Sequence, residues 1–150
     1  LEIPALPGRP ASELQQESPL PPTERPPHVY WLEPPRDWLY DRIDCRVQRM
    51  LDAGLLAEVQ TLRADPRGLS RTARQALGYR ELLEHLDGHC NLPTAIETIQ
   101  RRTRQFAKRQ HTWFRNLEEC RLVAITGQET PAQVAVKIVA DRPVDQPVKD

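Results

Sequence analysis

The sequence predicts a mainly α-helical chain with two short strands, and two kinds of pattern predict it. Apolar residues recur at alternating steps of three and four from Ile43 to Leu62 and again from Leu92 to Leu117, the repeat that puts them on one helix face. Two short runs, HVYWL at 28–32 and RLVAI at 121–125, carry β-branched and aromatic residues and read as strands.

The chain begins LEIPALPGRP, with Leu1 rather than Met, which leads to the expectation of a processed product or a piece of a longer protein. Ten of the fifteen prolines fall within residues 1–36, so residues 1–35 are expected to be an extended connecting segment and not a helix. Strand 28–32 closes it, and Pro34-Pro35 ends the strand. A helix then starts near Arg36 or Asp37. Its stripe is Ile43, Val47, Met50, Leu51, Leu55, Val59 and Leu62, with Gly54 interrupting at modest cost. Arg42, Arg46 and Arg49 flank that stripe. Residues 64–70 form a loop. A helix over 72–86 follows with Gly78 inside it, where glycine points to close approach by something.

Asn91 is placed to cap the next helix, with Pro93 in its first turn. That helix is expected to bury Leu92, Ile96, Ile99, Thr103, Phe106, Gln110, Trp113 and Leu117 along a seam, which makes Trp113 and Phe114 core anchors before stacking platforms. Opposite runs a basic stripe of Arg101, Arg104, Lys108, His111 and Arg115. After the second strand come a short amphipathic helix at 131–140 and a charged tail at 141–150. The expected organisation is a connecting segment (1–35), a helical portion (36–125), and a short helix with a flexible tail (126–150).

The charge pattern carries the functional content. The chain has 21 basic and 21 acidic residues, yet residues 101–115 hold six cations and no acid, interleaved with Phe106, His111, Trp113 and Phe114. Cations beside flat rings suit a phosphate backbone and its bases, although an arginine-rich helix face is often simply solvated. No apolar run is long enough to cross a membrane, and a helix lying on a membrane is a weaker reading of the same stripe. Cys45, Cys90 and Cys120, odd in number and widely spaced, suit a reducing compartment. His85, His89 and Cys90 form half of a metal pattern that no second cluster completes.

Three blocks go further: LYDRIDCRVQRMLDAGLLAEV at 39–59, QALGYRE at 75–81 and TRQFAKRQHTWFR at 103–115. Together they resemble the C-terminal part of the tRNA dimethylallyltransferase family. The resemblance implies an α/β fold of the P-loop type, of which this chain would be the mainly helical C-terminal part, its two strands completing the sheet. It implies transfer of a dimethylallyl group from dimethylallyl diphosphate to the exocyclic amine of the adenine 3′ of the anticodon. An Asp base and a P-loop with Mg²⁺ serve that chemistry in the N-terminal half of the family's proteins. No G-x-x-x-x-G-K-[ST] pattern occurs here, all six glycines being isolated, and no catalytic residue is assigned to this chain, which by itself is expected to be inactive. Pro4 and Pro7 also depart from the family pattern.

By position, Arg46 matches the family's diphosphate-contacting arginine, and Arg42 one turn earlier is a second candidate. Gln75, Ala76, Leu77, Gly78, Tyr79 and Arg80 match one tRNA-contacting segment, in which Tyr79 would stack and Arg80 meet phosphate. Lys108, Arg109, Gln110, His111, Thr112, Trp113, Phe114 and Arg115 match a second. His111 stands where relatives more often carry an aliphatic residue. The implied partners are a tRNA anticodon arm and dimethylallyl diphosphate, with no membrane, a monomeric state and a cytoplasmic location. The alternative is a stand-alone helical RNA-binding module, or a truncated non-catalytic copy.

Overall fold

A computed structural model of the chain describes residues 21, 24–26 and 28–140. The expectations for most of the proline-rich segment, including Pro4 and Pro7, and for the tail at 141–150 lie outside the described residues. Strand β1 (Val29–Glu33) is followed by helices α1 (Arg36–Asp52), α2 (Leu55–Ala64), α3 (Arg71–Gln75), α4 (Tyr79–Leu86) and α5 (Leu92–Arg115). Strand β2 (Cys120–Ala124) and helix α6 (Pro131–Ala140) complete the order. The two strands pair in parallel, Val29 with Cys120 through Glu33 with Ala124. Parallel partners need a crossover, and here it is the whole helical set from α1 to α5.

The core lies between α1, α2, α4 and α5. Val47, Leu55, Val59, Leu82, Leu83 and Ile99 form its buried cluster, with Leu51, Leu56, Tyr79, Leu92 and Ile96 packed around it. The three-and-four spacing therefore located the core, but two of the predicted helices are broken. Gly54 has φ +99°, in the left-handed region, so α1 ends at Asp52 and Leu55 and Val59 reach the core from a separate helix. The expected single helix over 72–86 is α3 and α4, divided at residues 76–78, where Gly78 has φ +97° and ψ −49°. A Cβ on Gly78 would meet nothing within 4 Å. Glycine is thus required by the backbone turn, and no other part of the described chain approaches closely there.

Local chemistry fixes the other ends. The Asn91 side chain accepts from the Thr94 amide at 2.9 Å with Pro93 beside it, as the sequence predicts. Ser70 caps α3 through the Ala73 amide at 3.1 Å. Beyond β2, Gly127 lies so close to Trp38 that a Cβ there would sit 2.4 Å from the indole. Glu129 accepts from the Thr126 amide and from Lys137 of α6, and the Lys137 ammonium first, then that amide, hold its carboxyl far below the usual range. No helix among the described residues is long and apolar enough to cross a membrane.

The long seam of α5 is only half buried. Ala95 and Ile99 are covered, whereas Phe106 is 48% exposed and Trp113 59% exposed, which overturns Trp113 as a core anchor. The reason is length. Helix α5 has 24 residues and α4 has 8, about 36 Å against about 12 Å. The amphipathic period continues past the end of the helix that covers it.

Gly78→Ala tests the backbone argument. Replacing glycine at this φ is expected to cost about 1–3 kcal/mol in a denaturant titration although no atom stands in the way. An unchanged transition would contradict it.

Candidate nucleic-acid interface

The turn carrying Gln75, Ala76, Leu77, Gly78, Tyr79 and Arg80 is held from beneath by one side chain. Glu81 is 1% exposed and accepts from the Gly78 amide at 2.8 Å through one carboxylate oxygen. Its other oxygen accepts from the Arg102 guanidinium of α5. The segment is thereby locked against the long helix, and a cavity of about 350 Å³ opens between them. Gln75, Leu77 and Arg80 line it from the turn, and Arg102, Phe106 and Arg109 from α5. The turn thus meets α5 around one opening, which Arg109 alone reaches from the segment 108–115.

Within the turn, Arg80 pairs with Glu84 at 3.1 Å and keeps its outer face in solvent. Tyr79 points elsewhere: its ring packs against the core cluster and its hydroxyl donates to Glu58. That hydrogen bond, then burial, raises the Tyr79 pKa. Leu77 is 42% exposed.

The basic stripe of α5 separates into structural and available cations. Arg104 donates to both Asp44 oxygens, at 2.7 and 2.8 Å, and fastens α5 to α1. His111 Nε2 lies 2.7 Å from a Glu33 oxygen and meets the Trp31 ring edge-on at 4.6 Å, tying α5 to the end of β1. Phe114 is half-buried and stacks on Trp31 at 6.2 Å, anchoring α5 to β1 outside the buried core cluster. Arg115 approaches the His111 ring at 3.5 Å, and the Thr112 hydroxyl donates to the Lys108 carbonyl. Arg101, Lys108 and Arg109 remain exposed, with no ion pair to another described residue.

A second, larger cavity of about 900 Å³ lies on the other side of α5. Lys108, Gln110, His111 and Phe114 face it together with Trp31 and Tyr40. Helix geometry places this set and the Arg102–Phe106–Arg109 set on roughly opposite faces. The segment 108–115 is therefore divided between two surfaces.

Arg42 and Arg46 stand on α1, flanked by buried Ile43 and Val47. Asp44, two residues from each, points to α5, so both arginines project about 160–200° away from that helix. Arg46 is exposed with no ion pair to another described residue, and the Arg42 guanidinium lies 5.0 Å over the Trp38 ring. Neither lines the two cavities above. The half-pattern for a metal is otherwise engaged, His85 Nδ1 lying 3.0 Å from the Cys90 carbonyl oxygen, and no group of three or more metal-ligating side chains converges among the described residues.

Sequence reasoning missed Glu81, Asp44 and Glu33, the acids that position this surface. Glu81 had a readable signal, being a glutamate three residues after a glycine that starts a helix. Asp44 and Glu33 find their partners 60 and 78 residues away, and no local pattern reports that.

A family model described as IPP transferase matches residues 1–117. A tRNA dimethylallyltransferase of Bacillus licheniformis is 51% identical over 81 residues, 54% of this chain and 26% of that protein. Those of Shouchella clausii and Halorhodospira halophila are 40% and 44% identical, over 89% and 77% of this chain and 42% and 38% of theirs. Among solved structures, the full-length tRNA isopentenylpyrophosphate transferase of Bacillus halodurans superposes with a TM-score of 0.62 at 36% identity, over 75% of this chain and 39% of that one. The Staphylococcus epidermidis enzyme gives 0.64 at 33%, over 75% and 36%. The chain thus spans about a quarter to two fifths of the proteins it matches, as the mainly helical part of an α/β fold of the P-loop type with two parallel strands. On this agreement of sequence blocks, fold and relatives, the chain belongs to the IPP transferase family.

Proposed function

We propose that this chain is the C-terminal part of a tRNA dimethylallyltransferase. In that enzyme it grips the anticodon arm of tRNA and presents an arginine to dimethylallyl diphosphate. The observation that carries the reading is the meeting of the turn at 75–80 with α5 around one cavity, where Arg80, Arg102 and the exposed cation Arg109 converge. Affinity for a polyanion comes chiefly from such cations, and a groove between a rigid turn and a helix gives it direction.

In the proposed reaction the adenine exocyclic nitrogen attacks the allylic carbon, a proton leaves that nitrogen for a base, and the bond to diphosphate breaks. Charge accumulates on the departing diphosphate, where fixed cations lower the barrier. Arg46 is the group this chain offers there, since a planar fork matches two diphosphate oxygens. Arg42, held over Trp38, is the secondary candidate. The base and the P-loop belong to the other part of the enzyme. So, by the family resemblance, does Mg²⁺. The proposed protein is cytoplasmic and monomeric, and this chain by itself does not catalyse transfer.

Three outcomes test the reading. The coding DNA upstream of the Leu1 codon is expected to continue in frame into a glycine-rich loop ending in Lys-Ser or Lys-Thr; a stop codon there would favour a stand-alone RNA-binding module. In the enzyme that joins this chain to a P-loop half, Arg46→Ala is expected to lower prenyl transfer about 10²- to 10³-fold with tRNA affinity little changed. A collapse of tRNA binding with diphosphate affinity intact would remove Arg46 from that role. Lys108→Ala and Arg109→Ala are each expected to weaken binding of an anticodon stem-loop and to flatten its salt dependence by about one phosphate contact. An unchanged slope would return both residues to a solvated face.

A further inference from the structure

The larger cavity holds a single carboxylate among its cations, and a histidine meets that carboxylate. Arg36 of α1 and Lys108 and Arg115 of α5 line the cavity, and Glu33 at the end of β1 is the one acid among the described residues that do. His111 Nε2 lies 2.7 Å from a Glu33 oxygen, and both side chains are about a third exposed, so solvent reaches the pair. A carboxylate oxygen only accepts, so Nε2 carries the hydrogen and Nδ1 is the nitrogen left to take a proton. Arg115 Nη2 stands 3.5 Å from either ring nitrogen, and only Nδ1 has a lone pair to offer it.

The other elements packed round the imidazole bring no second acid to it. Trp31 of β1 meets the ring at 4.6 Å. From α1 come Arg36 and Tyr40, while Asp44 is already held by Arg104. Strand β2 sets the uncharged Leu122 and Ala124 opposite Trp31 and Glu33. With the imidazole neutral, Glu33 opposes any anion that enters, and Arg115 is drawn to Nδ1. A proton on Nδ1 reverses both effects. The imidazolium cancels Glu33, and Arg115, which has lost its acceptor and gained a like charge beside it, turns to the opening. Imidazole makes this change of charge between about pH 5 and 8.

We infer that the Glu33–His111 pair makes anion binding at the larger cavity proton-dependent, so that RNA phosphates are held more tightly once His111 is protonated. The inference rests on the RNA-binding reading above and adds its regulation. The extra affinity is present on the acid side and is lost as the pH rises through the titration of the imidazole. By linkage, RNA bound at the cavity favours the protonated ring by the same factor.

The test measures binding of an anticodon stem-loop RNA to the full chain at about pH 5.5 and about pH 8, at one ionic strength. The parent chain is expected to bind about 3- to 10-fold more tightly on the acid side, the effect of one added charge near a phosphate in water. His111→Leu and His111→Gln are each expected to bind equally at both pH values; glutamine can still donate to Glu33 but takes no proton. Glu33→Gln, which keeps an acceptor for Nε2 and removes the opposing charge, is expected to raise affinity at about pH 8 towards the acid value of the parent. In proton NMR of the parent chain, the midpoint of the His111 ring is expected to move to higher pH when the RNA is added. A pH response that survives in both His111 variants would place the proton on another group and overturn the proposal. RNA binding by the parent that differs less than about twofold between the two pH values would overturn it too, and would leave the RNA-binding reading standing. No binding of the RNA by the parent at either pH would overturn both.

Discussion

A single buried carboxylate holds the site together. Glu81 is 1% exposed, and burying an ionised group is costly unless it is paired and hydrogen-bonded. One oxygen meets the amide of Gly78 and the other the guanidinium of Arg102. The first contact starts α4 and fixes a turn that only glycine tolerates. The second binds that turn to the long helix. Without Glu81 the Gly78 amide would lose its acceptor, and Arg102, about a third exposed, would turn to water instead of tying α5 to the turn. The geometry of the cavity between turn and helix follows from this arrangement.

The same accounting explains why a formally neutral chain presents a cationic surface. Of the six cations between residues 101 and 115, Arg102 and Arg104 are spent on Glu81 and Asp44, fixing α5 in place. His111 does similar work against Glu33 at the end of β1. Of the four that remain, Arg109 lines the smaller cavity beside Phe106, Lys108 and Arg115 face the larger one, and Arg101 is exposed outside both. Structural pairing therefore decides which cations stay available, and these are divided between two faces of α5. Arg46, on the outer side of α1, belongs to a different surface.

Features governed by near neighbours were legible in the sequence. Asn91 and Pro93 announced the start of α5, the strands were placed within a residue, and the three-and-four spacing picked out Val47, Leu55, Val59 and Ile99 as core. The helix breaks were less legible, because a glycine within an amphipathic run looks the same whether it continues the helix or turns at positive φ; Gly54 and Gly78 both turn. Burial of Phe106 and Trp113 was misread because periodicity says which residues share a face and nothing about how far the covering helix extends. The segments around Gln75–Arg80 and Lys108–Arg115 were identified by resemblance. That the turn joins α5 through Glu81 and Arg102, and that the second segment divides between two faces, required the fold.

The claim that one carboxylate joins the turn to the long helix is tested most directly by a double-mutant cycle of Glu81→Gln and Arg102→Leu, read by denaturant unfolding. Glutamine keeps an acceptor for the Gly78 amide while removing the charge that holds Arg102. A coupling of about 1–3 kcal/mol between the two substitutions is expected. Effects that add to within about 0.5 kcal/mol would show that turn and helix are held together by something else.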